Sequence, residues 1–190
     1  MPGSGNDLFA MQIAFTRAKQ SPVTYFTVKK TPEFLKDDMS SNGWDVTSLE
    51  KNEKWRFLKL KKSKSSSLSD VVISEIKKHR SVVVDSLSEL LLTRKTAEVV
   101  KLLTAMVHEN REGQEYHLVL LTKGMQDEKI ETTMEHFAEG VMAFNTEWSA
   151  ESVSRNLVIK KMRGTLVPIR RLPYTIGKKG FIIETATRIT

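Results

Sequence analysis

Asp85 closes an apolar run, Ser81-Val82-Val83-Val84-Asp85-Ser86, and a carboxylate in that place has a defined chemistry. Three successive β-branched residues suit a strand covered on both faces, and the acid then falls at the strand's C-terminal edge, where open α/β sheets bind ligands. In nucleotide sites such an acid holds Mg²⁺ or a water on it. Capping of the following helix is the other use open to Asp85. A phosphate cradle should stand before the first helix, and Gly3-Ser4-Gly5 supplies the flexible backbone for one. The full cradle pattern is G-x-x-x-x-G-K-[ST]. With Gly5 as the second glycine, Asn6 stands where the lysine belongs and Asp7 where the hydroxyl belongs. The first loses the charge on the terminal phosphates, and the second adds one that repels them. The first glycine of the pattern and the strand before it fall outside the given sequence.

Other reactive side chains form no comparable set. His79, His108, His117 and His136 lack zinc-ligand spacing, and without cysteine there is no thiolate to join them. Ser86 and Ser88 lack a G-x-S-x-G elbow. Glu131 and Glu135, one helical step apart, read as solvated carboxylates. Trp44, Trp55 and Trp148 read as packing anchors.

The elements needed to position Asp85 and the glycine turn follow from pattern. Leu8 to Lys19 carries one broad apolar stripe and reads as the opening helix. After Ser21-Pro22, Val23 to Val28 is a strand with Lys29 and Lys30 at its end, and Thr31-Pro32-Glu33 starts a helix reaching Ser41. Trp55 to Leu60 is a strand and Leu68 to Lys78 a helix leading into the Asp85 strand. Thr96 to Arg111 is the longest amphipathic helix. Glu115 to Thr122 is a strand, Glu131 to Ala138 a helix and Gly140 to Phe144 a short strand. The last third turns to strands at Arg155 to Met162, Pro173 to Ile176 and Gly180 to Ile183. These elements predict an α/β core, a mostly parallel sheet flanked by helices, followed by a β-rich tail in one domain over residues 1–190.

A chain of 190 residues has room for a sheet covered by helices. The absence of cysteine permits an intracellular, cytoplasmic setting. No stretch is long and apolar enough to cross a membrane, and no secretory leader is visible at the start. The net charge of +7 favours polyanions, with Lys61, Lys62 and Lys64 in a basic loop as the candidate nucleic-acid contact. Stacking aromatics do not interleave that loop.

Taken in order, G-S-G before a helix, Y-F-T-V-K-K-T-P-E-F-L, N-G-W-D-V, V-V-V-D-S-L-S-E-L, M-E-H-F-A-E-G-V, K-K-M-R-G, P-Y-T-I and G-F-I-I resemble the KaiC-like branch of the RecA/RadA ATPase superfamily from Gly3 to Ile183. The resemblance implies a RecA-like fold, ring or filament assembly and ATP held between protomers. It places Asp85 as the magnesium-associated acid. It puts Lys29 and Lys30 where active relatives carry a glutamate pair, one of which polarises the attacking water. Lys161 and Arg163 match a K-x-R pair that reaches a neighbour's γ-phosphate. Period-2 alternation would set these two on one face of their strand and Lys160 and Met162 on the other.

The departures at Asn6, Asp7 and Lys29-Lys30 lead to the expectation of a non-catalytic protein, not an enzyme and without a cofactor. It would act by self-assembly, or on an active ATPase paralogue, through a degenerate site at Gly3, Ser4, Gly5 and Asp85. The alternatives are an ATP- and magnesium-binding ATPase of weak or unusual activity, and a DNA-binding recombinase paralogue. The RecA-like pattern also requires a central strand before the cradle, so the expected sheet has an open central edge. Coverage by an inserted segment or a partner, or a start inside a longer gene product, would account for it.

Overall fold

A computed structural model describes residues 3–60, 67–110, 115–167, 170–178 and 180–184. The basic loop at Lys61, Lys62 and Lys64 lies outside the described residues.

The chain up to α7 builds a parallel sheet of β1 (Val23–Thr27), β2 (Trp55–Lys59), β3 (Ser81–Asp85) and β4 (His117–Val119), in the order β2-β1-β3-β4. Around it stand α1 (Asn6–Ala18), α2 (Pro32–Ser41), α3 (Thr47–Lys51), α4 (Leu68–Ile76), α5 (Leu87–Leu91), α6 (Thr96–Glu109) and α7 (Glu128–Phe137). The strand cores are apolar on both faces, as a two-sided parallel sheet demands. Phe26, Val82 and Val84 pack with α4 and α6, while Tyr25 and Val83 pack with α1 and α2. Local capping sets the starts of helices: the Thr31 hydroxyl accepts from Phe34 N–H before Pro32, and the Ser86 hydroxyl accepts from Glu89 N–H.

The chain from Gly140 onward forms an antiparallel sheet of β5 (Gly140–Trp148), β6 (Val153–Met162), β7 (Leu172–Gly177) and β8 (Gly180–Ile183), in that order. Its small core gathers Leu157, Tyr174 and Phe181 around Phe9 of α1.

Several expectations are corrected here. β5 runs to Trp148 instead of ending at Phe144, because its whole length pairs with β6; Trp148 ends up 71% exposed at the hairpin tip and anchors nothing. Glu131 is buried, not solvated: its carboxylate accepts from Gly124 N–H at 2.6 Å and ties the loop after β4 to α7. The alternation expected for β6 fails at a bulge, where Val141 faces Lys161 but Met142 faces Ile159. The extra residue, Lys160, interrupts the period of two, and Lys160 and Lys161 both reach α7 and its end. Among the described residues no helix is long and apolar enough to cross a membrane.

Candidate functional site

The C-terminal edge of the first sheet gathers the ends of β1 and β3 beneath the start of α1. Gly5 caps α1 with φ 75°, a left-handed conformation open to glycine, and a β-carbon there would lie 2.3 Å from Ile176 Cδ1. Gly3 is also left-handed, at φ 77°. Between them Ser4 is buried, and its carbonyl accepts the Tyr174 hydroxyl at 2.6 Å. The turn is therefore fixed by the second sheet, and at the start of α1 the Asp7 carboxylate itself accepts from Leu8 N–H at 2.9 Å.

Three charged side chains meet at this edge. The Lys30 ammonium lies 3.2 Å from Asp7 Oδ2. The backbone holding Lys30 is fixed by the Thr27 hydroxyl, which donates to the Lys30 carbonyl at 2.8 Å. Asp85 accepts from the Tyr25 hydroxyl at 3.1 Å. Burial pushes the Asp85 carboxyl above its ordinary value, and Asp7 and Glu89 push the same way; the Lys30 charge and the Tyr25 hydrogen bond oppose them. Burial likewise raises the Tyr25 phenol well above its usual range, reinforced by the Asp85 charge. Lys29, 76% exposed, stands 3.8 Å from Glu89 Oε1.

Four residues named from the sequence thus meet in one place: Gly3, Ser4, Gly5 and Asp85 share the sheet edge with Asp7 and Lys30. Tyr25 and Glu89 join them at this edge without a motif that marks them in the sequence. Tyr25 looks like any aromatic of a buried strand, and only the register of β1 on β3, Tyr25 beside Val83, brings its hydroxyl toward Asp85. Glu89 sat within S-L-S-E-L as a helix residue; its relation to Lys29 is set by where α5 starts.

Lys161 and Arg163 are engaged within their own chain. Lys161 donates to the His136 carbonyl at 3.0 Å and the Ala138 carbonyl at 2.6 Å, capping the end of α7, and Arg163 pairs with Glu139. The Arg163 side chain remains 74% exposed. His117 belongs to the opposite flank of the sheet: its Nδ1 accepts from Val82 N–H at 3.2 Å, and burial lowers its pKa to about 4 against the pull of Glu115. Among the described residues no group of three or more His, Asp or Glu could hold a metal by itself. Asp7 and Asp85 are the carboxylates that could join phosphate oxygens around a magnesium ion.

A family model described as "ATPase: KaiC" matches residues 1–188. A UPF0273 protein of Aeropyrum pernix is 25% identical, over 96% of this chain and 82% of its own length. One from Thermotoga maritima is 23% identical, over 96% of this chain and 84% of its own. The crystal structure of a KaiC-like protein from Pyrococcus horikoshii OT3 superposes with a TM-score of 0.81 at 22% identity, covering 97% of this chain and 86% of that one, which shows a shared fold. The match of nearly the whole chain to an ATPase family overturns the expectation of a protein that is not an enzyme. The three departures at Asn6, Asp7 and Lys30 are not independent in the fold, which sets Lys30 against Asp7.

Proposed function

The chain belongs to the KaiC family of ATPases, and from that footing we propose that it binds ATP with magnesium at the Gly3–Gly5 turn and Asp85 and hydrolyses it slowly, using Lys30 as its phosphate-facing cation. The carrying observation is the Lys30 ammonium, held 3.2 Å from Asp7 at the mouth of the turn. An arriving phosphate competes with Asp7 for that ammonium. Magnesium, when bound, supplies neutralisation of phosphate charge, and Asp7 and Asp85 are the residues that would hold it. The backbone of Gly3 to Gly5 and the start of α1 orient the phosphates.

Slowness follows from the same residues. Part of the attraction between Lys30 and phosphate is spent on separating Lys30 from Asp7. No acid stands at positions 29 and 30 to orient water; Glu89 brings a carboxylate to that edge, but Lys29 stands beside it. The Tyr25 hydroxyl, donating to Asp85, positions that carboxylate and does not touch the phosphates in this reading.

Titration with a fluorescent ATP analogue and a phosphate-release assay test the proposal. Saturable, magnesium-dependent binding is expected, weakened about ten- to hundredfold by Lys30→Ala, the size of one lost hydrogen bond to a charged group. Asp85→Ala should abolish magnesium-dependent release, and Glu89→Gln should lower kcat with affinity unchanged. Absence of binding at millimolar ATP, or binding indifferent to Lys30→Ala, would refute it.

A further inference from the structure

The edge of the parallel sheet where its strands start, opposite the glycine turn, holds a second group of charged side chains. Thr24 of β1 and Arg56 of β2 are register partners, so both project from the face on which Phe26 meets α4. The last turn of α4 lies over them and brings down Glu75, whose side chain is 3% exposed. The Thr24 hydroxyl donates to Glu75 Oε2 at 2.8 Å. Three cations close on the same carboxylate: Lys78 Nζ at 2.7 Å, Arg56 Nη1 at 3.3 Å and Arg80 Nε at 3.5 Å.

The three differ in what else they bind. Arg80 is 8% exposed, and each of its nitrogens is held inside: Nε donates to the Thr24 hydroxyl at 2.7 Å, Nη1 to the Glu53 carbonyl at 2.8 Å and Nη2 to the Val23 carbonyl at 2.7 Å. It is the buried counter-charge of Glu75. Arg56 and Lys78 are 44% and 59% exposed, and among the described residues Glu75 is the one carboxylate that either meets. Arg56 reaches it through Nη1 alone, at 3.3 and 3.4 Å, long for a bond between charged groups. Among the described residues its Nε and Nη2 meet no acceptor. Lys78 Nζ and Arg56 Nη1 share the oxygen Oε1, which sets them within about 6 Å of each other, close enough to repel. Crowding of charge also acts on Arg80, whose pKa is lowered by burial and then by the Arg56 charge, against the pull of Glu75 and Glu53.

We propose that Arg56 and Lys78 form a binding site for a phosphate dianion, free or as a monoester, at the sheet edge opposite the glycine turn. With Glu75 and Arg80 offsetting each other beneath, two positive charges face solvent, and a dianion matches both. A carboxylate or a phosphodiester carries one charge and leaves the other cation unmet. The unused edge of the guanidinium presents its N–H groups to two phosphate oxygens, and the ammonium turns its remaining donors to a third. Glu75 stays in place under the anion, held by Thr24 and Arg80, and orders both long side chains before the ligand arrives, which lowers the entropy cost of binding. The site shares no residue with the phosphate site at the other edge, since Thr24 and Thr27 are separated by about 10 Å of strand.

The test is equilibrium dialysis of the full chain against radiolabelled inorganic phosphate. The glycine turn also attracts phosphate, so the measurements are made on Lys30→Ala, which weakens that site and leaves this one untouched. Saturable binding with Kd on the order of 1 mM is expected. Adding Arg56→Gln or Lys78→Gln should each weaken it about tenfold, and Arg56→Lys, which keeps the charge but loses the planar edge, should fall between. Thermal melting without phosphate checks that the variants fold; Lys78, on the surface, gives the reading if Arg56→Gln does not. Phenyl phosphate should displace the label at concentrations similar to unlabelled phosphate if esters are taken, and fail to do so if the free ion alone is taken; both outcomes keep the dianion site. Diphenyl phosphate, a monoanion, should displace about tenfold less well than the better of the two. No saturation by about 50 mM phosphate, or binding indifferent to both substitutions, overturns the proposal. Equal displacement by diphenyl phosphate also overturns it, because the site would then suit the diester backbone of a nucleic acid.

Discussion

Lys30 changes the meaning of Asp7. Taken alone, a carboxylate in place of the cradle hydroxyl repels phosphate; paired with an ammonium at 3.2 Å, it parks a cation at the place where phosphate would arrive. The pair also explains why activity should be poor, since each turnover must part and reform it. Combining Asn6→Lys with Asp7→Thr restores the lysine and hydroxyl that follow the second glycine of the cradle pattern and frees Lys30, so phosphate release should rise on the order of tenfold, equivalent to about 1.4 kcal/mol of barrier. If the double variant binds ATP more tightly without faster release, the limit lies in the missing water-orienting acid at positions 29 and 30. Asp85 was legible because strand propensity and a terminal acid coincide in adjacent residues. Lys30 and Tyr25 were not, because their partners Asp7 and Asp85 lie 23 and 60 residues away, the first brought up by the placing of α1 over the end of β1 and the second by the register of β1 on β3.

At the scale of elements, β4 is where local preference and tertiary need diverge. Glu115 to Thr122 reads as a strand of eight residues, yet only His117–Val119 enters a ladder, because pairing is available on the β3 side alone. His117 takes part in that ladder through its ring. Burial lowers its pKa from the ordinary 6.5 to about 4. A base whose folded-state value is depressed stabilises the fold above the unfolded value, and the contribution is lost as pH falls through the window from 6.5 to about 4. The loss amounts to about 3 kcal/mol at most. His117→Asn keeps an acceptor for Val82 N–H and removes the titration. Urea unfolding from pH 7 to pH 4 should show the wild type losing stability more steeply than the variant, and parallel profiles would exclude His117 as the source. Elsewhere, elements with their own punctuation were legible: α2 begins at Pro32 behind the Thr31 cap, and β8 spans Gly180–Ile183 as its residues suggest. Short α3 carries no buried residue and has no apolar stripe to announce it. The β6 bulge was invisible because it is a property of the pair of strands, not of either sequence.

At the scale of the molecule, α1 is the element that both sheets share. One side of it buries Ala10, Met11, Ala14 and Ala18 in the core with Val23 and Tyr25. Phe9 instead enters the second sheet's core, with its ring centroid 5.1 Å from that of Phe144 and 5.0 Å from that of Phe181. Gln12 then fixes register: its amide donates to the Phe181 carbonyl at 3.2 Å and accepts from Phe181 N–H at 2.7 Å, which substitutes a side chain for a missing ladder partner. Gly180 permits this approach, since a β-carbon there would lie 2.5 Å from Gln12 Oε1 and its φ of 87° disfavours any other residue. With β4 and β5 unpaired, these contacts and the Tyr174 bond to the Ser4 carbonyl carry much of the connection between the sheets. Gln12→Ala leaves both Phe181 backbone groups without their partner and should cost about 1–3 kcal/mol. The cost should be local: amide exchange across Leu172–Gly177 and Gly180–Ile183 should accelerate while β1 and β3 keep their protection, because their own ladders and apolar cores do not involve Gln12. Uniform acceleration through both sheets would show instead that the molecule unfolds as one unit and that α1 transmits stability between its halves. In the local outcome, freeing the second sheet also releases Tyr174 from Ser4, so the glycine turn should lose order together with β7 and β8, and ATP affinity should fall in the same variant even though Gln12 has no part in the phosphate site.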